Sequence, residues 1–557
     1  MGVFSRPWTR ISRSNVRAMN SKPSRNNLFE YTSGRFLFNE QLRLAERHVR
    51  FDVDALSSAA CEAASRSSAE LASIDKLAEG GFNRILQLRF KDGYSVIARI
   101  PFKSTVPKRY AVASEAATLD LLQSHGIPVP RVLAYSPDSS NPVGTEYLIL
   151  EKLEGALLSG QWFTMDNKTR VKILKQIESQ FMGIPLPANG SLYYRRDLAD
   201  NQPCVSLADQ KGYDLDNIVV GPTAQYEWWY KDRARLDINR GPWSNYRSAF
   251  EAPAKREIEF CNRFGKPRPH VELYLRELYE FQNLSPSPHI QLLSDYLSLS
   301  PYLELAQDHP FSRPTLRHPD FSPNNILINS SNDVSGIIDW QHAAILPLCL
   351  CVGIPQYFQN WGDPISETLA KPDVKLPENF QELSPKEQES MLETQRRRLV
   401  HFYYAALTMR QSPDLFDALR NENAMLRAKL YKLAGTPWEG DSVSLKHAIF
   451  HTCTKWPMSV DEGTPAKESV CPVQFSMGEA QRTLQDHDAE EERMQELSEM
   501  REVLGTNSQG WVPDDEHFEI AKGLIQTIKD GLLQESKTDL EKTAVLHHFP
   551  FDDHDED

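Results

Sequence analysis

One short stretch constrains this chain more than any other. Arg317-His318-Pro319-Asp320-Phe321-Ser322-Pro323-Asn324-Asn325 runs directly into the apolar Ile326-Leu327-Ile328. Two prolines on either side of Asp320 fix φ and exclude a regular helix or strand, so this is a stiffened loop. The strand-like runs Asn324–Asn329 (NNILIN) and Ser335–Trp340 (SGIIDW) flank a Ser-Ser-Asn-Asp turn. The fold therefore has to present a stiff polar loop at the mouth of a short strand pair.

The residue types on that loop point to chemistry. Asp320 and Asn325 lie five apart, an anionic acceptor for a hydroxyl proton beside an amide oxygen able to ligate Mg²⁺. Asp339 ends the second apolar run, nineteen residues after Asp320. Burying a carboxylate there costs several kcal/mol unless a metal, a cation or hydrogen bonds answer it. Both a metal ligand and a hydrogen-bonded structural Asp satisfy that condition.

Upstream the pattern is mixed. Ser57–Ala72 is Ala/Ser/Glu-rich and helix-like, then SIDKL, RILQLRF and YSVIARI read as strands, with Asp92-Gly93 marking a hairpin between the last two. Ala111–Gly126 has helical spacing and closes on glycine, and IPVPRVLAYS and Glu146–Gly155 return to strand. The prediction is a small sheet with one interpolated helix. Within it, Gly80 and Gly81 in EGGFNR allow backbone N–H groups close to phosphate oxygens, or simply turn a hairpin. Arg99 precedes Glu115 by sixteen residues, which allows a strand cation pinned by a helix carboxylate and aimed at phosphates, or a surface ion pair.

In this order the pieces resemble the aminoglycoside-phosphotransferase branch of the protein-kinase-like superfamily. EGGFNR resembles its glycine-rich loop, HPDFSPNNIL its catalytic loop, GIIDWQ its metal-binding strand end and LEKLEG its hinge. The resemblance covers roughly residues 75–360 and implies an α+β, two-lobed kinase-like fold. The N-lobe, 75–155, would be a small antiparallel sheet with one helix; the C-lobe, 156–475, would be large and mainly helical, with an insert that shapes the substrate site. It also implies ATP and Mg²⁺ as cofactors and a small-molecule hydroxyl as acceptor. Asp320 would be the base, Asn325 and Asp339 the Mg²⁺ ligands, Arg99 the strand cation and Glu115 its partner. Gly80, Gly81 and Asn83 would cover the phosphates, and the backbone from Glu151 to Leu153 would meet adenine. Two departures stand out: arginine replaces the strand lysine, a planar fork for a point charge, and Pro319 replaces a catalytic-loop glycine. Such departures also fit a nucleotide-binding pseudokinase that acts as a scaffold.

The flanks carry separate signals. Residues 1–30 hold Arg6, Arg10, Arg13, Arg17, Lys22 and Arg25 and no acid before Glu30. On a helix the first four arginines fall within roughly 60° of one another, opposite Phe4, Trp8, Ile11 and Met19. That is the description of a mitochondrial presequence or, less specifically, of a solvated basic tail. Residues 31–74 read as a helical extension and 476–557 as acidic helices. From Glu479 onward there are 22 acidic and 7 basic residues, while the rest of the chain is nearly neutral. These flanks resemble the fungal altered inheritance of mitochondria phosphotransferase-like proteins. The acidic helices are candidates for docking a protein partner or for a solvated face. Hydrophobic content of 40% excludes a wholly disordered chain, and no basic stripe beyond residue 30 fits nucleic acid. Gly336–Pro355, the longest apolar run, contains Asp339, His342 and two prolines, so no transmembrane span is expected. Seven scattered cysteines form no CxxC pair or Cys/His cluster and support neither a zinc site nor a disulfide framework. The aromatic cluster Tyr226, Trp228, Trp229 and Tyr230, beside Lys231, Arg233 and Arg235, fits an acceptor pocket or ordinary core.

Overall fold

The computed structural model describes residues 28–176, 179–207, 217–456, 458, 460 and 469–556. The basic stretch read as a presequence lies outside them up to residue 27. The described chain begins with two helices, α1 (Glu40–Arg47) and α2 (Val53–Ala63). Five strands follow, β1 (Leu71–Glu79), β2 (Asn83–Phe90), β3 (Ser95–Pro101), β4 (Val132–Ser136) and β5 (Tyr147–Glu151), with α3 (Lys108–Ser124) between β3 and β4. They form one antiparallel sheet in the order β1-β2-β3-β5-β4. Asp92-Gly93 does turn β2 into β3, and Gly93 takes the left-handed φ of +93° that the tight turn requires.

Alternation along the strands sorts the two faces. Val96, Ala98 and Ile100 of β3, with Leu86, Leu88 and Ile149, pack against Val49, Phe51, Leu56 and Ala60 of the N-terminal extension. Ile97 packs instead into the main core, on the face shared with α3. That helix is buried throughout Ala111–Leu119, because the sheet covers one side and the strand Ser191–Tyr194 the other. Its run of small residues suits a helix enclosed on all sides.

Beyond Glu151 the chain crosses to a larger, mainly helical part. Its helices include α4 (Tyr246–Phe264), α5 (Ser287–Leu299), α6 (Pro385–Gln411), α7 (Pro413–Arg420), α8 (Glu422–Ala434) and α9 (Val443–Thr454). The strand pair read from the sequence is present as Ile326–Ile328 and Val334–Ile337, and the two residues Ala156–Leu157 join it as a third strand. Among the described residues no helix is long and apolar enough to cross a membrane, and the seven cysteines, all of them described, form no disulfide.

The acidic C-terminal region forms α10 (Met477–Leu504), α11 (Asp515–Glu535) and α12 (Asp539–His547). Ser476 and Asp514 cap the first two, and Gly505 ends α10 at φ +64°. The sequence reads 476–557 as acidic helices, and the last of them, α12, has nine residues and no continuous apolar seam. The tail folds back on the chain's own N-terminal extension. Arg35–Phe36 pairs antiparallel with Trp511–Val512. Leu37 and Phe38 share a core with Leu497, Leu504, Ile525, Phe549 and Phe551. Asn39 donates its amide to His554 O at 2.9 Å and to Glu556 Oε1 at 2.7 Å, and Arg43 pairs with the same glutamate. Much of the surface offered for a protein partner is thus engaged within the chain.

The extension in turn grips the glycine hairpin. Thr32 N–H donates to Glu79 Oε2 at 2.7 Å, Lys76 Nζ to Glu30 O at 2.6 Å, and Arg84 Nη2 to Arg47 O at 3.1 Å. Glu79 and Arg84, bracketing Gly80 and Gly81, form a fully buried ion pair at 2.8 Å. Truncating Phe551, which is 1% exposed, should remove about 3–5 kcal/mol of packing from this belt. The Phe551→Ala protein is expected to melt lower and to be cleaved by trypsin within residues 31–48. Wild-type cleavage kinetics would show that the extension holds without the tail.

Candidate active site

The loop that carries Asp320 and Asn325 is braced from behind. His318 donates Nε2–H to Ile338 O at 2.9 Å and accepts the Asp320 N–H on Nδ1 at 3.1 Å, joining the loop to the strand end that carries Asp339. Burial keeps this imidazole neutral, pushing its pKa down to about 4, and neutrality is what one donor and one acceptor nitrogen require. Trp340, fully buried, donates its indole N–H to Ile337 O at 3.1 Å and stands edge-on to the His318 ring at 4.6 Å. Asn325 Nδ2 donates to Asp320 O at 2.8 Å and to Asp320 Oδ2 at 3.1 Å. With the amide N–H₂ spent on Asp320, its oxygen is the atom available to a cation. The Ile338 N–H···O Asn325 bond, at 2.9 Å, keeps that residue beside Asp339.

Arg99 joins sheet, helix and strand end. Its Nη1 pairs with Glu115 on α3, and its Nη2 with Asp339 Oδ1 at 2.6 Å and with Gln341 Oε1 at 3.3 Å. Asp339 takes φ +67°, uncommon for a residue with a Cβ, and such conformations persist where surroundings over-determine them. Burial opposes ionisation of Asp339, but the Arg99 guanidinium prevails and holds its carboxyl below the usual range. Glu115 is pushed up to about 7 by burial, against the pull of Arg99. Burial, reinforced by the Asp339 charge, raises Asp320 above its ordinary value. One cation thus faces two carboxylates, with a third nearby, and the balance is negative. Arg99 and Glu115 are buried, whereas the Asp339 side chain is 46% exposed. An open carboxylate and an amide oxygen are hard oxygen donors, a set that fits Mg²⁺.

The other expected residues fall around this centre. Gly80 donates its N–H to Asn83 O at 2.9 Å as a hairpin turn does, and a Cβ on Gly81 would meet nothing within 4 Å. Asn83 is turned inward, its amide donating to Gln341, rather than facing outward over the cleft. Leu153 packs on the strand end so closely that a Cβ on Gly336 would lie 2.4 Å from its Cδ1. The Glu151 side chain points away toward Arg131, 3.9 Å from its Nε. The aromatic cluster divides. Trp228 is core against Trp243, at 5.1 Å, while Tyr226 lies tilted against Phe82 of the glycine hairpin at 5.5 Å. Lys231 pairs with Glu439, Arg233 with Glu257 and Arg235 with Asp232; of the three only Arg233 is committed inside the protein, and Arg235 lies in an exposed surface pair. His318, Gln341 and His342 stand in the stretches quoted from the sequence but are given no role there. The last two follow Asp339-Trp340 directly, and polar residues just past an apolar strand end were the available signal.

A phosphotransferase enzyme family model matches residues 243–350, the segment holding Asp320, Asn325 and Asp339. A subtelomeric hrmA-associated cluster protein of Aspergillus fumigatus is 32% identical over 482 residues, spanning 80% of this chain and 90% of that protein. The chain belongs to the phosphotransferase enzyme family. Altered inheritance of mitochondria protein 9 of Clavispora lusitaniae is 23% identical across 95% of this phosphotransferase-family chain and 92% of its own length. Among solved structures, a thermostable mutant of aminoglycoside phosphotransferase APH(4)-Ia is 14% identical, covering 68% of this chain and 91% of its own, with a TM-score of 0.32. The Plasmodium vivax ethanolamine kinase is 10% identical, with coverage of 75% and 82% and a TM-score of 0.32. Family membership agrees with the resemblance carried by HPDFSPNNIL and GIIDWQ.

The brace has a pH signature. The unfolded chain protonates this histidine near pH 6.5, while the folded one refuses the proton down to about 4. Stability is therefore expected to fall as pH drops through that window, by up to roughly 3 kcal/mol from His318. The His318→Asn protein, followed by urea midpoints, should lose less over the same interval; equal losses would show that the imidazole is not held neutral.

Proposed function

We propose that this chain is an ATP- and Mg²⁺-dependent phosphotransferase that moves the γ-phosphoryl group of ATP to a hydroxyl of a small molecule. One observation carries the reading: Asp320 is held against Asn325 beside an open Asp339 carboxylate, in a chain of the phosphotransferase family. Asp320 accepts the proton of the attacking hydroxyl, and the brace from His318 sets its position. Asn325 and Asp339 would hold Mg²⁺, which supplies charge neutralisation for the phosphates when bound. The Arg99 guanidinium brings positive charge beside Asp339, where it can act on phosphates. The open space above Gly81 leaves room for phosphates, and the backbone from Glu151 to Leu153 would receive adenine. A related structure, that of an APH(4)-Ia mutant, was solved with AMP-PNP and hygromycin B. The mitochondrial names of several relatives, with the acid-free basic N-terminus, support a mitochondrial location.

A second reading, a nucleotide-binding pseudokinase scaffold, draws on Arg99. Its guanidinium already answers Asp339, as an ion pair standing in for a metal would. Incubating protein lacking residues 1–25 with γ-labelled ATP and a mitochondrial metabolite extract separates the two. A labelled product is expected with wild type, reduced about 10²–10⁴-fold in Asp320→Asn. Nucleotide affinity should be spared in Asp320→Asn, while Asp339→Ala should lose Mg²⁺-dependent binding. Equal product from wild type and Asp320→Asn would transfer the assignment to the scaffold. In cells, removing residues 1–25 should leave the protein cytosolic on fractionation, and continued mitochondrial recovery would refute the location.

A further inference from the structure

Far from Asp320, the helical lobe and the tail meet at a second polar centre. Among the described residues, His270, Asp441 and Glu490 each offer one ligand atom, and the three atoms lie within 4.8 Å of one another. They come from a loop after α4, the turn before α9, and the middle of α10. His270 is 3% exposed, and its Nε2 is buried with no hydrogen-bond partner, 3.9 Å from Glu490 Oε1. A nitrogen that close to a carboxylate, yet beyond hydrogen-bond distance, leaves room for something between them.

The rest of the centre is built to hold these groups. His270 Nδ1 lies 3.0 Å from Glu272 N and 3.3 Å from Glu272 O. With the Glu272 N–H donating to Nδ1, the imidazole carries its proton on Nε2; a metal there would displace that proton, and Nδ1–H would then donate to the Glu272 carbonyl, the arrangement that orients metal-bound imidazoles. Tyr279 stacks on the His270 ring, centroids 5.6 Å apart, and donates its hydroxyl to Glu490 Oε1. Gly440, at φ +91°, lets the Asp441 turn come against His270, since a Cβ there would lie 2.8 Å from Pro269 O. Asp441 Oδ1 caps α9 by accepting the Val443 N–H at 3.0 Å. Charge is uncompensated. Asp486, one turn before Glu490, adds to Asp441, and among the described residues no lysine or arginine pairs with Glu490 or Asp441. Arg276 is nearby, its Nε donating to His270 O at 2.7 Å.

We propose that His270 Nε2, Asp441 and Glu490 form a binding site for Zn²⁺, fastening α10 to the helical lobe. One imidazole and two carboxylates are three ligands of a tetrahedral zinc site, with water as the fourth. Zn–N and Zn–O lengths of about 2.0–2.2 Å place ligand atoms roughly 3.3 Å apart, so the His270–Glu490 gap closes by about half an ångström. Cysteine spacing could not reveal such a site, because its ligands come from three distant segments and include no sulfur.

The full chain, stripped with chelator, re-exposed to Zn²⁺ and then dialysed, should retain one equivalent by elemental analysis. Its melting temperature should rise on adding Zn²⁺. Asp339→Asn, changed only in the active site, should retain the same equivalent. Glu490→Gln, isosteric and relieved of charge repulsion, should lose the metal and the thermal response. A lost ligand is expected to cost more than the about 10–100-fold that loss of an outer-shell partner costs. Asp441→Asn, at the less buried ligand, serves as the second variant should Glu490→Gln not fold. Failure of the wild type to retain Zn²⁺, or wild-type content in Glu490→Gln and Asp441→Asn, would overturn the site.

Discussion

The architecture turns on a single guanidinium. Arg99 leaves the central strand of the sheet, meets Glu115 on the enclosed helix with one nitrogen, and reaches Asp339 and Gln341 with another. The sheet, the helix and the strand end of the helical part are thereby tied at one point. A lysine has one charged atom and could not span these partners, whereas the planar fork of arginine presents several donors in fixed directions. The departure noted in the sequence thus has a structural use. Both charges in the Arg99–Glu115 pair are buried, so removing either would leave the other uncompensated in a low-dielectric interior. Asp339, alone among the three, keeps its carboxylate open.

A second set of constraints reaches the same centre from outside. The tail helices pack on the N-terminal extension, the extension grips Glu79 and Arg84, and those two residues bracket Gly80 and Gly81. Phe82 then rests against His342, ring centroids 5.1 Å apart, just beyond Asp339. In the same region α10 is fastened to the helical lobe by Tyr274–Glu496, Arg493–Glu277 and Arg501–Glu272 contacts. Two acidic residues that read as surplus charge in the sequence are partners for basic ones hundreds of positions away, Asp515 for Arg35 and Glu556 for Arg43.

Local signals were legible where local physics decides. Asp92-Gly93 announced its hairpin because few residues accept that turn. Gly505 closes α10 and Asp514 opens α11, while the Ser476 cap that starts α10 shows only in the structure. The helix expected from Ala111 begins at Lys108 instead, three residues early, because Lys108–Tyr110 carry no apolar periodicity to mark them. The cluster around Trp228 was open to two readings because aromatic and basic residues serve cores and binding sites alike. Only their partners, Glu439, Glu257 and Asp232, decide between them.

What the sequence determined by itself was the stiff Asp320–Asn325 loop and the strand pair behind it. Prolines, an Asp and an Asn at fixed spacing, and alternating apolar residues act over a few positions, and their consequences are local. What only the tertiary structure decided was which charges meet. Asn83 turning inward to Gln341, His318 bracing Asp320, and the C-terminal tail closing on Asn39 all depend on segments brought together by burial of apolar faces. Burial is non-directional and carries no sequence address for the polar groups it brings into contact. Their pairing is settled only when the chain has folded and each buried donor must find an acceptor.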